Sequence, residues 1–147
     1  MTYQEAKYAT SMATTALAAV IYAVRVRALK AEGYFDGTDG MVLTGRAILI
    51  LIAVIVVAGI LGQILLAIAT AISGNTPDMD EDERDKLIDL KAMNWAFSIF
   101  GFGLLAALIA LALGHPAFAV FHYIIYAMIA AGLCADMIRI WLHRRGF

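Results

Sequence analysis

The chain has 147 residues, 63% of them hydrophobic and only 16% charged, with a formal net charge of −1. Soluble domains run at about 45–50% apolar and about 25% charged, so an ordinary soluble globule and a disordered tail are both excluded. A mean hydropathy of +0.82 points to a membrane protein. A spanning helix uses about 20 residues, so four spans consume about 80 and leave only short loops. Cys134 is the only cysteine, which excludes an intrachain disulfide and a thiol-relay pair. No basic excess points to direct nucleic-acid binding.

The first apolar run, Tyr8 to Val24, carries Thr10, Ser11, Thr14 and Thr15 and is the least apolar of the four. It predicts a span over about 6–26. The hydroxyls there can bond preceding carbonyls or a neighbouring helix, and Arg25 and Arg27 can snorkel to the interface. A signal peptide is disfavoured, because no A-x-A-type cleavage site follows closely. The second run carries no charge between Arg46 and Asp78, and its apolar part predicts a span over about 47–72. Ser73-Gly74-Asn75-Thr76-Pro77 then stops it.

From Ala92 to Cys134 no Asp, Glu, Lys or Arg appears. As one helix this run would be about 65 Å long, against a hydrocarbon core of about 30 Å. It must therefore fold back, and Gly114-His115-Pro116 near its middle supplies a helix stop followed by a helix start. The expected spans are about 92–113 and 117–142. Small residues recur at four-residue spacing in Ala127, Ala131 and Ala135, in Ala106, Ala110 and Gly114, and in Gly103 with Ala107. That spacing lets helix backbones approach closely. With four spans, Lys7, Arg84, Lys86, Lys91, Arg139, Arg144 and Arg145 fall on one side, and Arg25, Arg27, Lys30 and Arg46 on the other. The larger group predicts both termini in the cytoplasm, in a multi-pass protein of the cell inner membrane. Trp95 and Trp141 fall near that same face, as interface anchors do.

The main polar feature is the stretch from Asp78 to Lys91, with seven acids and three bases. Thr76 can cap it, Pro77 can take the first helical position, and the acids then lie at the positive end of the helix dipole. It predicts a short acidic juxtamembrane helix that runs into the third span. Asp80, Glu81, Asp82, Glu83, Arg84 and Asp85, with Arg144 and Arg145 of the basic tail, are the candidate residues for binding a cytoplasmic protein partner. The bland alternative is a solvated, well-capped helix start. Asp78, Asp80, Asp82 and Asp89 match part of an EF-hand spacing. Glu83 replaces the glycine needed for the turn, so no metal site is expected.

Gln63, His122 and Asp136 are the intramembrane polar candidates, and an intramembrane acid marks function by default. Against that, Asp136 precedes Arg139 by three residues, the spacing of a simple ion pair. Gln63 is expected to bond across the bundle and His122 to bond a neighbour. Haem between spans wants a second histidine on another span, and spans one to three contain none. No cofactor is therefore expected. No glutamate lies inside span one, as a small proton-coupled exporter would need. Span two lacks the charged signature of a membrane glutathione transferase. No Ser/His/Asp or phosphate-loop arrangement is visible, so the chain reads as a non-enzyme.

Two segments carry a resemblance. Asp80-Glu81-Asp82-Glu83-Arg84-Asp85-Lys86-Leu87-Ile88-Asp89-Leu90-Lys91-Ala92 leads into an apolar span, and the chain ends Ile140-Trp141-Leu142-His143-Arg144-Arg145-Gly146-Phe147. Together they resemble the domain of unknown function 2178 family of small prokaryotic four-span membrane proteins. The match covers the second half, and tyrosine is more typical where His143 stands. The resemblance implies an architecture and no activity. Members are often encoded beside small helix-turn-helix regulators, which implies such a regulator as partner by analogy.

The resulting expectation is an all-α, four-helix transmembrane bundle, a single integral membrane domain in the lipid bilayer. Its expected role is that of an interaction or regulatory protein acting through the 76–91 segment. The alternatives are a small transporter or channel subunit, as a homo-oligomer, with a polar path near Gln63, His122 and Asp136, and a haem or electron-transfer anchor.

Overall fold

A computed structural model describes residues 3–74 and 83–145. The chain is all-helical there, with no strand among the described residues. Its elements are α1 (Tyr3–Ala31), α2 (Gly40–Ile72), α3 (Glu83–Ala112) and α4 (Ala117–Arg145). All four are long and apolar enough to cross a membrane. Their lengths of 29 to 33 residues correspond to about 43–50 Å. Each therefore exceeds the apolar core of a bilayer and carries polar ends beyond it.

The helix ends follow from local chemistry. Gly33 and Gly114 adopt φ of 75° and 83°. That left-handed turn lets Tyr34 N–H donate to the Leu29 carbonyl, and His115 N–H to the Ala110 carbonyl, each at 3.0 Å. The expected reversal at Gly114-His115-Pro116 is thus a glycine-terminated helix. Pro116 then offers its carbonyl to Ala119 and Val120 at the start of α4. α2 begins at Gly40, several residues before the apolar stretch, and the Thr44 hydroxyl donates back to the Gly40 carbonyl at 2.8 Å. The expected acidic lead-in helix and third span are one rod from Glu83 onward. No glycine or proline lies between Glu83 and Ala92 to interrupt it.

α1 and α4 run antiparallel at the centre of the bundle. α2 packs on α1 and touches α4, whereas α3 packs closely on α4 and reaches α1 through the Tyr8–Asp89 side-chain bond. α2 and α3 make no backbone contact, which leaves a groove of about 480 Å³ between them, lined by Ser11, Ile55, Phe97, Phe100 and Ala131 among others. The α3–α4 crossing is the tightest. A Cβ placed on Gly103 would collide with that of Ala127, and Ala107, Ala131 and Ala135 are buried. Two of the small-residue series are therefore packing surfaces. The third is not, since Ala106 and Gly114 are exposed.

The apolar surface points outward. Only 6% of the most apolar window of α2 and of α3 is buried, while Phe97 is 79% exposed and Leu65 65%. A soluble monomer does not expose contiguous apolar surface on this scale. Helices suit a bilayer because every backbone polar group is satisfied within the segment.

Candidate functional site

The polar side chains gather where the start of α1, the start of α3 and the end of α4 meet. Arg139 is the hub. Its Nε donates to Asp89 Oδ1 at 2.7 Å and its Nη1 to Asp136 Oδ1 at 2.8 Å. The i, i+3 pair expected between Asp136 and Arg139 is present, and Asp89 from α3 joins it. Tyr8 of α1 completes the group: its hydroxyl donates to Asp89 Oδ1 at 3.3 Å, and its ring lies 5.2 Å from the guanidinium carbon. Charge-assisted bonds of this kind are the stronger class. They link three helices that the chain visits far apart.

Gln63 of α2 lies at the same end. Its Nε2 donates to the Lys7 carbonyl at 3.0 Å, the bond across the bundle that the sequence led one to expect. A cavity of about 260 Å³ opens among Lys7, Tyr8, Ser11, Gln63, Asp89, Asp136 and Arg139. Its lining residues comprise two carboxylates, two cations (Lys7 and Arg139), an amide and two hydroxyls. Such a cavity can accept a small polar group. Gln63 and Asp136 thus share one cavity.

His122 does not share it. It precedes Asp136 by 14 residues on α4, about 21 Å along the helix. Its Nδ1 lies 2.6 Å from the Phe118 carbonyl, which can only accept, so Nδ1 carries the hydrogen. Nε2 of the neutral ring then accepts from the Tyr22 hydroxyl at 3.1 Å. The ring sits against Phe118, with centroids 4.2 Å apart, and stacks on Tyr22. Both nitrogens are thereby engaged, and ligation of an iron by His122 would break the bond to Tyr22. His115 lies before α4 begins and is exposed. No group of three or more His, Cys, Asp or Glu suited to a metal ion occurs among the described residues.

The charged start of α3 is tied to the end of α4. Arg84 Nη2 donates to the His143 carbonyl at 3.3 Å, and Asp85 Oδ1 lies 3.7 Å from His143 Nδ1. The tail arginines turn back on the bundle. Arg144 lies 3.7 Å from Glu5, and the Arg145 guanidinium sits over the Trp141 ring at 4.4 Å. Glu83 is exposed at the head of α3. Asp78, Asp80, Glu81 and Asp82, together with the cap Thr76 and Pro77, lie outside the described residues, and so does most of the EF-hand spacing.

Sequence reasoning did not single out Tyr8 or Glu5, and weighed Asp89 only as part of an EF-hand spacing. The available signal was position: a tyrosine one turn after Glu5 and an acid one turn before the apolar part of α3. No protein-family model, no curated protein and no solved structure matches the chain.

Proposed function

We propose that the protein is a non-enzymatic integral membrane protein of the cell inner membrane, with both termini cytoplasmic. It acts as an interaction or regulatory partner through the acidic segment at 76–91. One observation carries this reading. The head of α3 is fixed to α1 and α4 through Arg84, Asp85 and Asp89, so a partner that docks at this end meets a helix anchored to the bundle. Arg144 and Arg145 are directed at Glu5 and Trp141, and the acidic stretch is the densest run of one charge sign in the sequence. A basic protein surface suits that stretch, and the family resemblance implies a small helix-turn-helix regulator. The test is cross-linking in native membranes and recovery from detergent, with Asp78, Asp80, Glu81, Asp82 and Glu83 neutralised and Asp85 and Asp89 kept. Loss of the partner is expected. Undiminished recovery would sink the reading.

The cavity holding Gln63 and Asp136 favours a second reading, a small transporter or channel subunit. Liposomes carrying the Asp136→Asn protein would then pass cations more slowly than the wild type. Equal flux in wild-type, variant and empty liposomes excludes it.

A further inference from the structure

Two cavities meet at Arg139. One is the polar cavity of about 260 Å³, and the other is the groove of about 480 Å³ between α2 and α3. Ser11, Asp136 and Arg139 line both. Along α4 the groove extends from Arg139 back to Met128, 11 residues or about 16 Å of helix. Away from Arg139 its walls are apolar and aromatic, with Met93, Phe97 and Phe100 from α3, Ile55 from α2 and Met128 from α4. Because α2 and α3 do not pack on each other, the groove opens between them toward the surrounding lipid. Its polar end offers hydrogen-bond donors. Arg139 gives one N–H to Asp89 and one to Asp136, and its remaining N–H groups are unspent. The hydroxyls of Ser11 and Thr15, one turn apart on α1, make no hydrogen bond with the described residues, whereas Thr14 donates to the Thr10 carbonyl at 3.0 Å. A donor left unpaired in hydrocarbon is costly. The formal charge at this end balances, with Lys7 and Arg139 against Asp89 and Asp136.

We infer that this groove binds an isoprenoid quinone drawn from the bilayer. Its ring lies at the polar end, with a carbonyl oxygen accepting from Arg139 and from the hydroxyls of Ser11 and Thr15. The tail leaves past Phe100 and Met128. Balanced charge asks for a neutral head, and unspent donors ask for acceptors on it. Phenylalanine rings and methionine thioethers suit a flat, polarisable ring, and one groove leading away suits one tail. A quinone combines all four properties. A fatty acid would instead bring a second anion beside Asp136, and a phospholipid would bring two chains to one groove. An apolar cleft with a few placed polar groups, of this volume, is the usual form of a small-molecule site. The inference rests on the membrane reading but on no protein partner.

The full chain is reconstituted in phosphatidylcholine bilayers with a photoreactive azidoquinone, and the labelled peptides are mapped by mass spectrometry. Labelling is expected to concentrate on 93–100 and 128–139 and to fall when excess decylubiquinone is added. Gly132 lines the groove, and a Cβ built there meets nothing within 4 Å. Gly132→Leu therefore fills the groove without displacing a neighbour and is expected to abolish the competed labelling. Ser11→Ala/Thr15→Val removes both hydroxyls and should raise the decylubiquinone needed for competition by about tenfold. Circular dichroism checks that each variant keeps its helices, and the hydroxyl variant carries the test if Gly132→Leu does not. Labelling spread evenly over the apolar surface, or undiminished by decylubiquinone, overturns the site while leaving the membrane reading intact. Competed labelling that is unchanged in the folded variants does the same. Competition by oleic acid equal to that by decylubiquinone overturns the quinone as occupant. Absence of labelling on all four helices overturns the membrane reading as well.

Discussion

Arg139 on α4 and Asp89 on α3, fifty residues apart in the chain, meet at 2.7 Å, and the same guanidinium holds Asp136 at 2.8 Å. The two acids differ in setting. The Asp136 side chain is 10% exposed and that of Asp89 is 42% exposed. Removing the cation therefore strands a buried carboxylate, whereas removing Asp89 leaves Arg139 still paired. Arg139→Gln should cost about 2–4 kcal/mol and Asp89→Asn about 1 kcal/mol or less. Denaturation midpoints in one detergent should fall in that order. Equal midpoints for the two variants would remove Arg139 from its place as hub.

The crossing of α3 and α4 makes a second prediction. Gly103→Ala places a methyl against Ala127, and the helices must part to admit it. Overpacking of this kind costs about 1–3 kcal/mol. Gly101, two residues earlier, has nothing within 4 Å of a built Cβ. Gly101→Ala should therefore leave the unfolding midpoint unchanged or raise it, while Gly103→Ala lowers it. Matching behaviour of the two would contradict the close approach.

Tyr22 and His122 supply a third. With Nδ1 committed to the Phe118 carbonyl, the neutral ring should show the Nδ1–H tautomer in nitrogen NMR spectra. Tyr22→Phe deletes the donor to Nε2 and should move that resonance while leaving Nδ1 in place. The stability cost should be about 1 kcal/mol, that of one buried acceptor left unsatisfied. A spectrum of the Nε2–H tautomer in the wild type would refute the assignment.

What the sequence discloses and what it hides divide along one physical line. Features set by neighbours in the chain are legible. The Asp136–Arg139 pair follows from a spacing of three, the reversal at Gly114 from a glycine before a proline, and the Thr14 hydroxyl bond to the Thr10 carbonyl from helical geometry. Features set by how helices cross are not. Nothing local says that Asp89 rather than Lys91 faces Arg139, or that Gln63 finds the Lys7 carbonyl. The same limit explains the small-residue series. Ala127, Ala131 and Ala135 face neighbouring helices, whereas Ala106 of α3 and Gly114 in the turn after it look outward, because α3 packs closely against α4 on one side. Hydropathy reads the total of apolar surface, and in a bilayer the outer face is as apolar as the inner, so the contact side leaves no mark.

The placement of the chain ends makes the last prediction. Phe35, between α1 and α2, lies 5.0 Å from Phe118 at the start of α4, centroid to centroid. The connection at 32–39 and the turn at 113–116 are therefore at one end of the bundle. Lys86 is at the other, with Arg139, Arg144 and Arg145. The larger basic group is expected on the cytoplasmic side. In a Cys134→Ser background, Asp36→Cys and His115→Cys should react with a membrane-impermeant maleimide added to intact cells, and Lys86→Cys should react only after permeabilisation. The reverse pattern overturns the orientation. Reaction of all three from outside overturns the spanning arrangement itself, because Asp36 and Lys86 lie at opposite ends of helices about 43–50 Å long.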